Sequence, residues 1–165
     1  MDENEKMNEL YLLLGQITYS YTRIDYLISY MAFDLGFVES PITYFVKSKF
    51  EKKINAFNDT IKKQIQDREL HNEVVTWTTK LQELREIRNN LIHSVILANV
   101  ENSNELNFSN YRISKDGKIE SDSNTYTFED LKKLSQSYID SHNNGYLLWR
   151  RLKNHIDKQK VANNV

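Results

Sequence analysis

Cysteine is absent from the chain, which excludes disulfides, thiolate zinc sites and a cysteine nucleophile. That usage suits a reducing cytosol. Proline occurs once and glycine four times in 165 residues. An all-β sandwich needs a turn every roughly ten residues, so punctuation this sparse argues for long helices instead. Neither sign of charge dominates, with 22 basic residues against 23 acidic ones. A whole-surface attraction to nucleic acid or to anionic membrane is therefore not expected, and any nucleic-acid site must be a local basic patch. No uninterrupted apolar run approaches the roughly 18–20 residues that cross a bilayer. Met1–Met7 is acidic and polar with no apolar segment behind it, unlike a signal peptide. The expectation is a soluble cytoplasmic protein with no membrane partner.

What is present is helical periodicity. A hydrophobic share of 39% is modest but enough for one domain of amphipathic helices over 1–165. Leu10, Leu14, Ile17, Tyr21, Ile24, Ile28, Met31 and Leu35 step by threes and fours, predicting a helix over about Glu5–Leu35. Gly36 is placed to end it. Ser40-Pro41 then reads as an N-cap with proline at the first helical position. Ile42, Phe45 and Val46 form a short turn, and Phe50, Ile54, Phe57, Ile61 and Ile65 continue the stripe to about Gln66. After a junction at Asp67 or Arg68, a third helix is predicted over about Glu69–Ala98, on the seam Leu70, Val74, Trp77, Leu81, Leu84, Leu91, Val95 and Ala98.

Asn99–Asn104 is a polar break. Phe108, Tyr111 and Ile113, the turn Lys115-Asp116-Gly117, then Ile119 and Tyr126 predict a small hairpin over about 105–127. Thr127 and Asp130 resemble a capping box with Asp in place of Glu or Gln. They open a last helix on Leu131, Leu134, Tyr138, His142, Leu148, Leu152 and Ile156, with a frayed tail over 160–165. The fold class expected is all-α, an up-and-down helical bundle with a β-hairpin inserted before the last helix.

The segment Leu84–Leu97 is the anomaly. Arg88 falls among the residues of an apolar seam, and Arg85, Asn89 and His93 follow one another at four-residue spacing. Histidine gives or takes a proton near neutral pH. Arginine grips phosphate with a planar fork of donors, and asparagine orients an imidazole or a phosphate oxygen. Arg, His and Asn without a carboxylate cluster suit metal-free phosphodiester cleavage. Arg88 and His93 are five residues apart, so on a regular helix they point about 140° apart. A two-fold pairing of helices would bring one chain's Arg toward the other's His, and would cover a helix that is apolar on several sides.

Arg88-Asn89-Asn90-Leu91-Ile92-His93 resembles the Arg–(four to six residues)–His motif of the HEPN family. The layout over about Leu10–Leu97 is also similar: a long first helix, a Ser-initiated second and the motif late in a third. The resemblance implies a homodimer whose paired motifs form an RNase cleft, with RNA as substrate and no metal or other cofactor. His93 would transfer the proton, Arg88 stabilise the phosphorane, and Asn89, with Arg85 beside it, position the substrate. Such proteins often act as toxins or in phage defence, with an antitoxin or regulatory partner. Ser94 follows His93 where the subgroup paired with nucleotidyltransferase antitoxins carries a tyrosine.

Plainer readings stand beside these. Arg88 and His93 also fit a structural polar network, with the arginine snorkelling to solvent. A non-catalytic dimeric module holding RNA, a nucleotide or a protein would use the same dimer and could bury His93 behind apolar contacts, whereas an RNase needs it solvent-reachable in a basic cleft. An antitoxin or inhibitor would instead show a large exposed apolar patch. His142 and His155 read as surface or half-buried residues and His71 as a helix-start residue, with no two histidines at metal-ligand spacing beside a carboxylate. Lys47, Lys49, Lys52, Lys53, Lys62 and Lys63, and separately Arg150, Arg151 and Lys153, read as solvated basic faces that would alternatively lead RNA to the cleft. Tyr19, Tyr21, Tyr26 and Tyr30 read as core and interface residues rather than base-stacking platforms.

Overall fold

The computed structural model of the chain describes residues 2–96 and 105–163. In these, the protein is mostly helical, with a small antiparallel hairpin before its last helix. The elements are α1 Glu3–Asp34, α2 Pro41–Lys47, α3 Phe50–Gln64, α4 Arg68–His93, β1 Val95–Ile96, β2 Glu105–Ile113, β3 Ile119–Thr127 and α5 Phe128–Asn163.

Local chemistry sets most of the helix ends. Asp2 and Glu5 exchange side-chain and backbone hydrogen bonds at the start of α1. At its other end Gly36 adopts φ +79°, its N–H donates to Phe33 O, and the Phe37 N–H donates to Ala32 O. That is the Schellman arrangement, which favours glycine because only glycine enters the left-handed region without a Cβ clash. The Ser40 hydroxyl caps α2 by accepting from the Thr43 N–H, and the Asp67 carboxylate caps α4 by accepting from Glu69 and Leu70. Thr127 and Asp130 form a reciprocal capping box at α5.

The chain divides into two compact units, Met1–Ser20 with Leu84–Tyr138 and Tyr21–Glu83 with Ile139–Val165. The first unit buries Leu10, Leu13 and Ile17 of α1, Leu84 and Leu91 of α4, Leu106 and Phe108 of β2, and Leu131 and Tyr138 of α5. The buried Tyr138 hydroxyl donates to the Leu84 carbonyl. The sheet has the order β1-β2-β3, both pairs antiparallel, with Phe108 opposite Asn124 and Ile113 opposite Ile119.

The second unit buries Ile24, Ile28 and Met31 of α1, Ile54, Phe57 and Ile61 of α3, Val74 and Trp77 of α4, and Leu148 and Leu152 of α5. Trp77 donates from Nε1 to the Ser141 carbonyl, and its ring lies against Gly145. A Cβ at Gly145 would stand 2.3 Å from a Trp77 ring carbon and 3.0 Å from Leu27 Cδ2. Only glycine lets α5 approach the indole this closely.

Several expectations need correction. The third helix does not run to about Ala98. It ends at His93, and Val95 and Ile96 pair with Ser109 and Phe108 as a short strand. Consecutive β-branched residues favour the extended chain, and β2 offers the unpaired edge they join. Ala98 and the break Asn99–Asn104 lie outside the described residues. The tail is helical through Asn163, with 164–165 outside the described residues. The second helical region is two helices, divided at Ser48-Lys49. Tyr19, Tyr26 and Tyr30 are exposed rather than core, and Tyr21 is half-buried. Lys53 is not on a solvated face: it is fully buried. Among the described residues, no helix is long and apolar enough to cross a membrane.

Candidate functional site

The predicted Arg–His motif occupies the last two turns of α4. Three groups hold this helix end in place. The Ser94 hydroxyl donates to the Asn90 carbonyl, the Asn110 side-chain amide on β2 donates to the same carbonyl at 3.2 Å, and β1 begins immediately afterwards. Carbonyls in the last turn of a helix have no intrahelical partner, and here strand β2 supplies one.

Four side chains on this turn were candidates. His93, the last helical residue, is exposed, while Arg85, Arg88 and Asn89 are half-buried. The Arg88 Nη1 donates to Asn89 Oδ1 at 3.1 Å, so the asparagine fixes one edge of the guanidinium. Leu91 and Leu84, on the neighbouring face, are buried. Arg88 thus comes together with Asn89, whereas His93 stands apart at the helix end, as the five-residue spacing requires. In chemical terms the turn offers a held guanidinium, an amide and an accessible imidazole, all on one rigid element.

The other sequence candidates separate. Lys47, Lys49, Lys52, Lys62 and Lys63 are exposed. Lys53 is buried, donating to Asp25 Oδ1 at 2.5 Å and to the Phe45 carbonyl at 3.0 Å. Its Nζ also lies 4.8 Å from the centre of the Phe45 ring. Burial pushes the Asp25 carboxyl up, and Lys53 opposes that shift by hydrogen bond and charge. The nearby Tyr44 phenol is raised by burial and by the Asp25 charge. Of the second cluster, Arg151 pairs with Glu73 and Lys153 with Asp34. His155 shares a hydrogen bond with Gln159 at 2.9 Å. Among the described residues no group of three or more His, Cys, Asp or Glu is arranged to hold a metal ion.

No family model matches the chain, and neither a curated protein nor a solved structure is found to be similar to it. The site therefore rests on its own chemistry.

One feature of the second unit was missed in the sequence. Tyr26, Leu27 and Tyr30 of α1, Phe45 of α2 and Tyr146 and Trp149 of α5 line an open groove of about 510 Å³. The signal was there in the spacing, since 22, 26 and 30 on α1 and 142, 146 and 149 on α5 each recur at helical intervals. Their aromatic character led toward core. The signal for the buried ion pair was Lys53 itself, which falls on the stripe Phe50, Ile54 and Phe57 where an apolar residue is expected.

Proposed function

We propose that the chain is a metal-independent endoribonuclease of the HEPN type, acting as a homodimer in toxin or phage defence. The observation that carries this reading is the state of the motif: His93 is exposed at the end of α4 while Arg88 is half-buried and held by Asn89. A scaffold that kept the motif only for packing would have reason to bury the imidazole. A catalyst needs it reachable.

In the proposed reaction the RNA's own 2′-hydroxyl attacks the adjacent phosphorus. His93 takes or returns the proton, and Arg88 stabilises the charge that builds on the non-bridging oxygens. Asn89 and Arg85 position the phosphate. The P–O5′ bond breaks, leaving a 2′,3′-cyclic phosphate and a 5′-hydroxyl. Because Arg88 and His93 diverge by about 140° around one helix, the reading places one subunit's Arg88 with the other's His93 across a two-fold axis. Tyr11, Leu12 and Tyr19 of α1, in the same unit as the motif, are well exposed. They supply apolar surface of the kind that a second copy or a regulatory protein would cover.

The test is incubation of the purified protein with total RNA in EDTA, beside Arg88→Ala and His93→Ala variants checked for folding and oligomeric state. Cleavage by the parent that both variants lose supports the reading. Mixing the two variants should restore part of the activity, because a mixed dimer rebuilds one composite site. Intact RNA in every tube, across several RNA classes, would overturn it in favour of a non-catalytic binding module.

A further inference from the structure

The groove in the second unit is lined by a continuous run of rings. Phe45 meets Tyr26 at 5.8 Å, Tyr26 meets Tyr30 at 6.4 Å, Tyr30 meets Trp149 at 5.5 Å and Trp149 meets Tyr146 at 5.3 Å. Interplanar angles of 37° to 90° mean that no ring is stacked on its neighbour. Tyr26, Tyr30 and Tyr146 remain 43%, 37% and 46% exposed. The volume of about 510 Å³ is enough for a flat group of nucleoside size. Two hydrogen bonds fix the walls. The Trp149 Nε1–H donates to Asp34 Oδ2 at 2.9 Å, and the Phe45 carbonyl accepts from Lys53 at 3.0 Å. Rings held in place before a ligand arrives lower the ordering cost of binding it.

A basic face begins beside this groove. Lys47 ends α2 two residues after Phe45, Lys49 is the N-cap residue of α3, and Lys52 stands in the first turn of α3. Lys53, the next residue, reaches back to the Phe45 carbonyl and ring, so this turn packs against the groove wall. Lys63, eleven residues beyond Lys52, returns to within about 20° of it around the helix and stands roughly 16 Å further along. Lys47, Lys49, Lys52, Lys62 and Lys63 are all exposed. None of the five forms an ion pair with another described residue. Glu51 and Asp59 are the only acidic residues over 41–64. The face is therefore basic although the chain as a whole is balanced.

Unpaired ammonium groups beside unstacked rings are the two parts of a single-strand site: the cations follow the phosphates and the rings receive bases. A duplex would engage the lysines alone, because its bases are already stacked and enclosed. An anionic membrane would also meet the lysines, but it has nothing flat to place in the groove.

We propose that the groove and the α2–α3 lysines together bind a single strand of RNA. An unpaired base stacks among Tyr30, Tyr146 and Trp149, and the flanking phosphates lie along Lys47, Lys49 and Lys52. The site lies outside the Arg–His motif and does not rest on the RNase reading, since a strand can be held here without being cut.

The deciding experiment is fluorescence anisotropy of the full chain with a labelled 12-nucleotide 2′-O-methyl RNA, alone and annealed to its complement. The methylated strand lacks the 2′-hydroxyl nucleophile, so the result is independent of any cleavage. The single strand should bind about tenfold more tightly than the duplex. Tyr146→Ala, at an exposed position, should weaken the single strand by about tenfold and leave duplex binding unchanged. Lys49→Gln combined with Lys52→Gln should weaken both and reduce the salt slope for the single strand by about 1.4. Equal affinity for strand and duplex, indifference to Tyr146→Ala, or no binding at all would overturn the proposal. So would binding to phosphatidylglycerol vesicles that Tyr146→Ala abolishes, which would give the groove to a membrane. A concentration-dependent dimer that is lost in Tyr146→Ala would overturn it too, since the groove would then belong to a second copy.

Discussion

Lys53 and Arg88 are both cations set among apolar residues of a helix, one in each unit, and they have opposite surroundings. Lys53 is entirely buried, its ammonium donating to Asp25 Oδ1 and the Phe45 carbonyl and lying 4.8 Å from the centre of the Phe45 ring. Arg88 is half-buried, with an amide neighbour and an accessible histidine five residues on, around the helix from it. A charge on an apolar seam is therefore not by itself a mark of function. What separates the two is whether the partners close around the charge or leave groups that another molecule can reach.

The comparison is sharpest in the ion pair. Asp25→Asn should leave a buried ammonium with only neutral partners and cost about 3–5 kcal/mol, a fall in melting temperature on the order of 10 °C. Lys53→Met should cost clearly less, because Asp25 keeps some exposure and the methionine fills the space. If the two single variants melt together, the asymmetry argued for this pair is wrong. Next in size is Gly145→Ala, where the added methyl meets the Trp77 ring and should cost about 1–3 kcal/mol. A chemical-denaturation midpoint close to the parent's would show that α5 has room to shift.

Arg88→Ala provides the contrast. Removing a half-buried guanidinium beside an asparagine should cost about 1 kcal/mol or less of stability, while the RNA cleavage proposed for the chain should be lost. A loss of stability as large as that of Asp25→Asn would make Arg88 a structural residue like Lys53. The smallest effect concerns His142, whose imidazole is held below its usual value by burial and by Arg23. The folded chain then binds fewer protons at this group than the unfolded chain does. Stability should therefore fall as pH drops through about 6.5 and on to the lower folded-state value. His142→Asn should flatten that part of the stability–pH curve, and an unchanged curve would remove His142 from the account.

How far the sequence could be read depended on how local the governing interactions are. The caps at Ser40 and Thr127, the glycine stop at Gly36 and the turn at Gly117 act within four residues, and each is where its chemistry places it; the junction at Asp67 proves to be a cap as well. The hairpin over 105–127 was legible for the same reason. The end of α4 was not. Helical periodicity continues through Val95, and only a strand ten or more residues further on makes the extended chain the better partner. Asn110, which closes the candidate motif, comes from that same strand.

By itself, then, the sequence determined the helices, their caps, the hairpin and the order Arg88, Asn89, His93 along one helix, because spacing and capping act along the chain. Tertiary structure decided which of the charged and aromatic residues are enclosed. It buried Lys53 against Asp25, 28 residues away, and left Tyr26 and Tyr30 of α1 open on a groove shared with α2 and α5. A stripe of Tyr and Lys at helical spacing is compatible with core, surface or pocket. Only the elements that pack against it remove water from one side chain and leave it on the next.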